Sequence, residues 1–375
     1  TAFKVANDGK KGTVHVDIPK CVLSDNYVSS LDSKYKIKNL ENSLLENKEQ
    51  NKNDIVKIDS AMDIINNSLR PILIVGQGCN NSSELLRKFA INGNIPVTTT
   101  LHAVGCFDEE HYLSTEFLGM HGNVAANYAV QQSDCIIAIG SRFDDRTTGN
   151  IEKYAPEAIK AGKEGRGGII HINICDDEID KIIKTDYSFR IDCGEFLKKA
   201  LPKLKYNERK EWTNKIDKWK FNHPFEYHGL GNKLKTQDVI SEINNKILSK
   251  SLSDRTIITT GVGNHQMMAA QFIKWKSPKK FVTSGSLGVM GAGLPYAIGC
   301  QIANPDKLVI DIDGDGSFNH TLSDLKTIVE YNLPVKIAIM NDGHMSMVRV
   351  WEELFFEKRY TATTINKNPN YKNLA

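Results

Sequence analysis

Leu308-Val309-Ile310-Asp311-Ile312-Asp313-Gly314-Asp315-Gly316-Ser317 is the stretch on which the reading of this chain turns. Its β-branched, apolar run predicts a buried strand, and Gly314-Asp315-Gly316 predicts a tight turn that opens a helix. The carboxyl end of a parallel strand is where open α/β sheets bind their ligands. Glycines there let a phosphate come close to backbone N–H groups, and Asp315 offers an oxygen to a hard cation such as Mg²⁺. The next strand-sized run, Val335–Met340, ends in Asn341-Asp342-Gly343, and Asp342 lies 27 residues past Asp315. Oxygen side chains on two neighbouring strand tips suit an octahedral cation that shares its ligands with a phosphate. The plainer reading makes Gly314–Gly316 a turn and Asp342 a helix cap. The spacing matches neither a dinucleotide fingerprint nor a P-loop.

Outward from this stretch, strands and helices alternate. Strands are predicted at Ile72–Val75, Pro96–Thr99, Cys135–Ile139, Gly168–Ile174 and Thr256–Thr260, with a strand end at Val282–Gly285. Helices are predicted at Val56–Asn66, Ser82–Ala90, Asn123–Gln132, Asp177–Ile183, Asp238–Leu248, His265–Ile273, Gly288–Gln301, Leu322–Tyr331 and Met345–Phe356. Near-continuous apolar strands joined by helices imply parallel sheets covered on both faces. The fold class is therefore α/β, with two doubly wound, mostly parallel-sheet domains. Residues 1–20 read as a helix end, a turn and a short strand at Thr13–Ile18, which cannot bury itself without partners outside this chain. Polar residues 21–55 and 201–235 read as linkers, the second pinned by Trp212 and Trp219. They leave two α/β units, at 56–200 and 236–375. A chain that opens at Thr1 inside a helix reads as a fragment of a longer protein.

Composition narrows the class. Of 375 residues, 40% are hydrophobic and 25% charged, which supports packed cores rather than wholesale disorder. A net charge of +3 gives no footing for nucleic acid or a membrane surface. The longest apolar runs are strand-sized, short of the ~20 residues of a membrane span. Seven scattered cysteines without a Cys-x-x-Cys pair argue against a disulfide framework or a structural zinc site.

The segment Gly314–Asp342 resembles the thiamine diphosphate binding motif. Thr260–Met267, Thr283–Gly299, Leu118–Gly122, Gly140–Asn150 and Pro96–Leu101 resemble the catalytic subunit of acetohydroxyacid (acetolactate) synthase, over nearly the whole chain. The resemblance implies a three-domain enzyme, with residues 1–20 a remnant of the first domain, 56–200 the central FAD-binding-like domain and 236–375 a truncated third. Its cofactors would be thiamine diphosphate, Mg²⁺ and FAD, and it would work as a homodimer or homotetramer with a possible small regulatory subunit. It implies that pyruvate is decarboxylated and its remainder joined to pyruvate or 2-ketobutyrate, early in branched-chain amino acid biosynthesis. The location would be mitochondrion or plastid in a eukaryote, cytoplasm in a bacterium. The same fold leaves open pyruvate oxidase, glyoxylate carboligase or a non-catalytic paralogue acting as a binding or assembly protein.

Carried over by residue, Gly261, Gly263, Asn264, His265, Gly288, Met290, Gly314, Gly316 and Ser317 would contact thiamine diphosphate, with Met290 as the apolar prop that bends it. Asp315, Asp342 and the backbone carbonyl of His344 would hold Mg²⁺. Met347 and Trp351 would line the substrate channel. Gly76, Gly78, Thr99, Leu101, Met120, His121, Gly140, Arg142, Asp144, Arg146 and Asp192 would contact FAD. The chain departs from the pattern at Asn264, Asp342, Met345 and Ser346, and, near the flavin, at Asn173 and Lys10. The family's catalytic glutamate belongs to the first domain and matches no acid in residues 1–20, so these 375 residues alone are expected to be inactive.

Overall fold

The computed structural model describes residues 2–7, 9–18, 21, 50–229, 231, 233–365 and 367–374. Two parallel sheets organise it. The first contains β1 (Pro71–Val75), β2 (Val97–Thr99), β3 (Ser114–Phe117), β4 (Cys135–Ile139), β5 (Gly168–Asn173) and β6 (Tyr187–Arg190), in the order β3-β2-β1-β4-β5-β6. The second contains β7 (Thr256–Thr260), β8 (Phe281–Thr283), β9 (Leu308–Gly314) and β10 (Lys336–Met340), in the order β10-β9-β7-β8. Every pairing in both sheets is parallel.

Strand alternation sends successive side chains to opposite faces. Leu73, Val75, Ile137 and Ile139 pack under helices Gln50–Asn67, Ser83–Gly93 and Cys193–Ala200, meeting Met62, Phe89 and Phe196. Ile72, Ile74, Ile136 and Ala138 face helices Val124–Gln132, Pro156–Lys163 and Lys210–Asn222. All five residues of β1 and of β4 are buried. The fold class read from the sequence is the one observed.

Several local expectations differ. Thr13–Ile18 forms no strand; no described segment runs beside it, and an unpaired strand leaves its backbone groups without partners. Asp177–Ile183 is not a helix. Only Asp176–Glu178 makes a single tight turn, and Asp180 sits at φ +55° with its Oδ1 accepting from Thr185 N and Oγ1, both at 2.8 Å. Such local side-chain bonds compete with a helix. The 201–235 connection contains helix Lys210–Asn222, because Trp212, Ile216 and Trp219 fall on one helical face. Trp212 is buried, and its Nε1 donates to Pro71 O at 2.9 Å. The helix after β8 begins only at Gly293, since Gly288 and Gly291 adopt positive φ of 73° and 86°. Strands β3 and β6 and helices Pro156–Lys163 and Cys193–Ala200 are additions. Most of the 21–55 linker, residues 22–49, lies outside the described residues.

The two units meet through a dense junction. Glu109 N donates to Trp275 O at 3.1 Å, and Trp275 N donates back to Glu109 Oε2 at 3.0 Å. Lys274 pairs with Glu116 across the same seam.

Candidate functional site

In each sheet the strand order reverses beside the unit's first strand, between β1 and β4 and between β7 and β9. The crevice at the carboxyl ends of such a pair is the expected ligand position. The sequence-derived site residues cluster at these two places.

The second crevice is a cavity with side chains on several walls. It is lined, among others, by Gly263, Asn264 and His265 after β7, by Met290, by Gly314, Asp315, Gly316 and Ser317 after β9, and by Asp342, His344 and Met347 after β10. The register Met340↔Gly314 brings the tips of β9 and β10 level, so Asp315 and Asp342 stand on adjacent strand ends and face one hollow. Asp315 Oδ2 accepts from Gly343 N at 3.2 Å. Asp342 Oδ1 accepts from His344 N at 3.0 Å and its Oδ2 from Ser346 Oγ, so this carboxylate also braces the turn into helix Ser346–Phe355. The plainer reading, a helix-bracing aspartate, is thus present together with the cavity-lining one. Ser317 Oγ accepts from Val262 N at 3.3 Å and Gly291 N at 2.9 Å. Its own O–H is left to donate, as an anionic oxygen requires.

His265 is placed differently from a simple phosphate donor. Its ring is buried, and Nε2 stands 3.4 Å from Asp313 Oδ1, so the lining residue also reaches back toward β9. Asp311 and Asp313, at alternate positions of β9, share one face of the strand that ends beside Asp315, and both are fully buried. Asp311 Oδ1 accepts from Thr259 Oγ1 at 2.9 Å, and Gly314 N donates to Asp313 Oδ1 at 2.9 Å. Burial, with Asp313 adding to it, pushes the Asp311 carboxyl well above the usual range. Side chains on Gly261 or Gly293 would collide with these carboxylates. Gly261 therefore serves behind the cavity rather than lining it. Gly288 lies outside the lining as well, and Trp351 is 38% exposed, stacked 5.0 Å from Phe355.

Sequence reading missed Thr236, Val262, Met340 and Val348 in the lining, and named Met345 and Ser346 only as departures from the family pattern. For Asp311 and Asp313 the signal was present: carboxylates at every second position of a strand share one face.

The first crevice is closed by backbone. Gly76 ends β1 and Gly140, at φ +64°, follows β4, and a Cβ on Gly76 would run into the Gly140 carbonyl. Gly78 N donates to Gly140 O at 3.2 Å. Thr99, at the tip of β2, keeps its Oγ1 buried without a partner, and Leu101 follows in a short turn. His121 holds Gln271 Nε2 through its carbonyl at 2.8 Å, and Met120 Sδ meets Arg146 Nη1 at 3.4 Å. Arg142 pairs with Asp144 at 3.7 Å and Arg146 with Asp145 at 3.8 Å, the mutual pairing expected of exposed Arg-Asp sequences. Asp144 and Asp192 cap short helices, Asp192 Oδ1 accepting from Gly194 N at 2.8 Å and Glu195 N at 3.3 Å. Lys10 pairs with Glu178 at 2.8 Å, and Asn173 Nδ2 donates to Ser141 O at 2.9 Å.

The donor sets fit their expected groups. Among the described residues no three His, Cys, Asp or Glu side chains converge on one point, so a cation here needs phosphate oxygens besides Asp315 and Asp342. The orphaned Thr99 hydroxyl beside the glycine crossing suits a polar ligand on the first crevice.

Comparison with known proteins divides the chain along the same two units. Residues 58–200 match the family described as thiamine pyrophosphate enzyme, central domain, and residues 261–375 match thiamine pyrophosphate enzyme, C-terminal TPP binding domain. The chain is 44% identical to the mitochondrial acetolactate synthase catalytic subunit of Saccharomyces cerevisiae, covering 100% of this chain and 55% of that protein. It is 37% identical to chloroplastic acetolactate synthase 1 of Nicotiana tabacum, covering 98% and 53%. Against the acetolactate synthase large subunit of Buchnera aphidicola it is 35% identical, covering 100% and 63%. The chain thus spans little more than half the length of the curated relatives it matches.

Proposed function

The chain belongs to the thiamine pyrophosphate enzyme family, and on that premise we propose that the protein carrying it is an acetolactate synthase catalytic subunit. The observation that supports this most is the single cavity at the β7/β9 reversal, where Asp315 and Asp342 meet the glycine turns of both strands. Thiamine diphosphate, when bound, supplies the carbon nucleophile and electron sink for decarboxylating a 2-ketoacid.

The residues present would act on that group in distinct ways. Asp315, Asp342 and the His344 carbonyl would hold Mg²⁺ against the diphosphate. The Ser317 hydroxyl and backbone N–H groups of Gly263 to His265 and of Gly316 would receive its oxygens. Met290 would prop the cofactor from the apolar side. Met347, together with Met345 in the lining, would shape the entry for pyruvate and a second 2-ketoacid, and Trp351 would border it. FAD would lie over Gly76, Gly78 and Gly140, with Thr99 Oγ1 donating to it and Arg142 and Arg146 leaving their aspartates for its pyrophosphate. Homodimers or homotetramers, a regulatory subunit, and residence in a mitochondrion, plastid or bacterial cytoplasm complete the reading. The domain limits 1–20, 56–200 and 236–375 belong to it too.

The test is product analysis on the full-length protein with pyruvate, thiamine diphosphate, Mg²⁺ and FAD. Acetolactate, with 2-aceto-2-hydroxybutyrate when 2-ketobutyrate is added, is expected. Acetyl phosphate, or acetate with hydrogen peroxide, would identify an oxidase instead, and absence of thiamine diphosphate binding would identify a non-catalytic relative.

A further inference from the structure

After helix Ser346–Phe355 the chain returns across the tips of β9 and β10. There Asn368 Nδ2 donates to Asp315 Oδ2 at 2.6 Å and to Asn341 Oδ1 at 2.9 Å, joining the two tips that carry the candidate cation ligands. Its Oδ1 accepts from Asn319 Nδ2 at 2.9 Å, and Asn319 Oδ1 accepts from Tyr371 Oη at 2.9 Å. The Tyr371 ring stands edge-on to Phe318, centroids 5.8 Å apart.

This chain of bonds has a direction. A phenol O–H that donates to Asn319 Oδ1 turns the Asn319 amide so that Nδ2 faces Asn368. That in turn points the Asn368 Nδ2 at Asp315 and Asn341. Reversing either amide would set oxygen against oxygen. Burial and the Asp315 carboxylate push the Tyr371 phenol up, which keeps it a donor. Gly343 N supplies a second donor to Asp315, again on Oδ2. Both side-chain acceptances of Asp315 therefore fall on one oxygen, and Oδ1 is left for a ligand.

We propose that Asn368 is a positioning residue for the divalent cation: it ties the β9 and β10 tips together and turns Asp315 to offer the metal one oxygen, Oδ1. The inference rests on the reading of this cavity as a Mg²⁺–diphosphate site. Groups that bond a ligating carboxylate from behind tune it strongly, and losing one typically costs about 10–100-fold in metal affinity.

The experiment titrates Mg²⁺ into the full-length apoprotein at saturating thiamine diphosphate. Binding is read by calorimetry and turnover in parallel. For Asn368→Ala the half-saturating Mg²⁺ concentration should rise by about tenfold or more, while kcat at saturating Mg²⁺ stays near wild type. Asn368→Asp should shift it further, since it sets a like charge beside Asp315. Tyr371→Phe should shift it less, in the same direction. Should Asn368→Ala melt earlier than wild type without cofactors, Asn319→Ala carries the test, because it keeps Asn368 and frees only its orientation. If wild type binds Mg²⁺ with thiamine diphosphate and the variants match it, the role of Asn368 is wrong. If wild type itself does not bind them, the site reading fails first.

Discussion

The two sheets place their ligand crevices by the same topological rule and fill them with opposite chemistry. In the six-stranded sheet the central strands β1 and β4 are wholly apolar and buried, and their tips meet glycine to glycine. In the four-stranded sheet the central strand β9 carries Asp311 and Asp313, and Asp315 opens the short helix that follows it; all three are exposed by no more than 1%. Buried carboxylates oppose folding unless they are paired or protonated. A strand that keeps two of them on one face, with Asp311 pushed toward its protonated form, has given up stability for a polar floor under its cavity. The first crevice is floored by glycine backbone between apolar strands; the second is underlain by buried carboxylates.

That contrast can be broken most sharply at Asp315. Asp315→Ala in the full-length protein is expected to abolish Mg²⁺-dependent thiamine diphosphate binding and reduce acetolactate formation to background. Arg142→Ala, on the other crevice, should weaken FAD retention and leave Mg²⁺ binding intact. Equal losses of Mg²⁺ binding in the two variants would erase the distinction. Next in size comes core truncation. Ile137→Ala, at the centre of the six-stranded core, should cost about 2–5 kcal/mol in chemical denaturation. Ile257→Ala should fall near the low end of that range, because its cluster is smaller and partly exposed.

A smaller, pH-dependent effect follows from the buried acids. Burial raises both Asp311 and Glu109, with like charges adding to each. A raised carboxyl holds a proton in the folded state that the unfolded chain has already lost above pH ~4. Folding stability therefore falls as pH rises from there toward the raised value. Asp311→Asn keeps an acceptor for Thr259 Oγ1, and Glu109→Gln keeps one for Trp275 N. Each variant should gain on wild type between pH 4 and 7 in denaturant melts, and a constant difference would refute the buried-acid account. Asp342→Asn should have the least effect, a shift in half-saturating Mg²⁺ smaller than that of Asn368→Ala, since an oxygen ligand is retained.

Much of this architecture was legible in the sequence because buried parallel strands announce themselves as apolar runs; β1, β4, β5, β7, β9 and β10 lie within a residue or two of expectation. The misses have physical causes. β3 is a polar, four-residue edge strand, Ser-Thr-Glu-Phe, stabilised by its neighbour rather than by pattern. Asp180 diverted a helical-looking segment through local hydrogen bonds. Of the candidate site, the glycine turns and Asp315 with Asp342 were readable from spacing. The inward turn of His265, the withdrawal of Gly261 and Gly288 from the lining, and the reach of Asn368 depend on packing between segments far apart in sequence.

One side chain at the seam has a wider consequence. Arg87 donates to the carbonyls of Cys106 at 3.0 Å and Gly105 at 2.9 Å in its own unit, and to that of Lys276 at 2.5 Å in the other. A planar guanidinium fixed by three carbonyls resists bending in every direction within its plane. With the Glu109–Trp275 bonds beside it, this joint works as a weld rather than a hinge. The separation between the Gly76–Gly140 crossing and the cavity of Asp315 and Asp342 is then held by this joint, and any change in that spacing has to break these carbonyl bonds first.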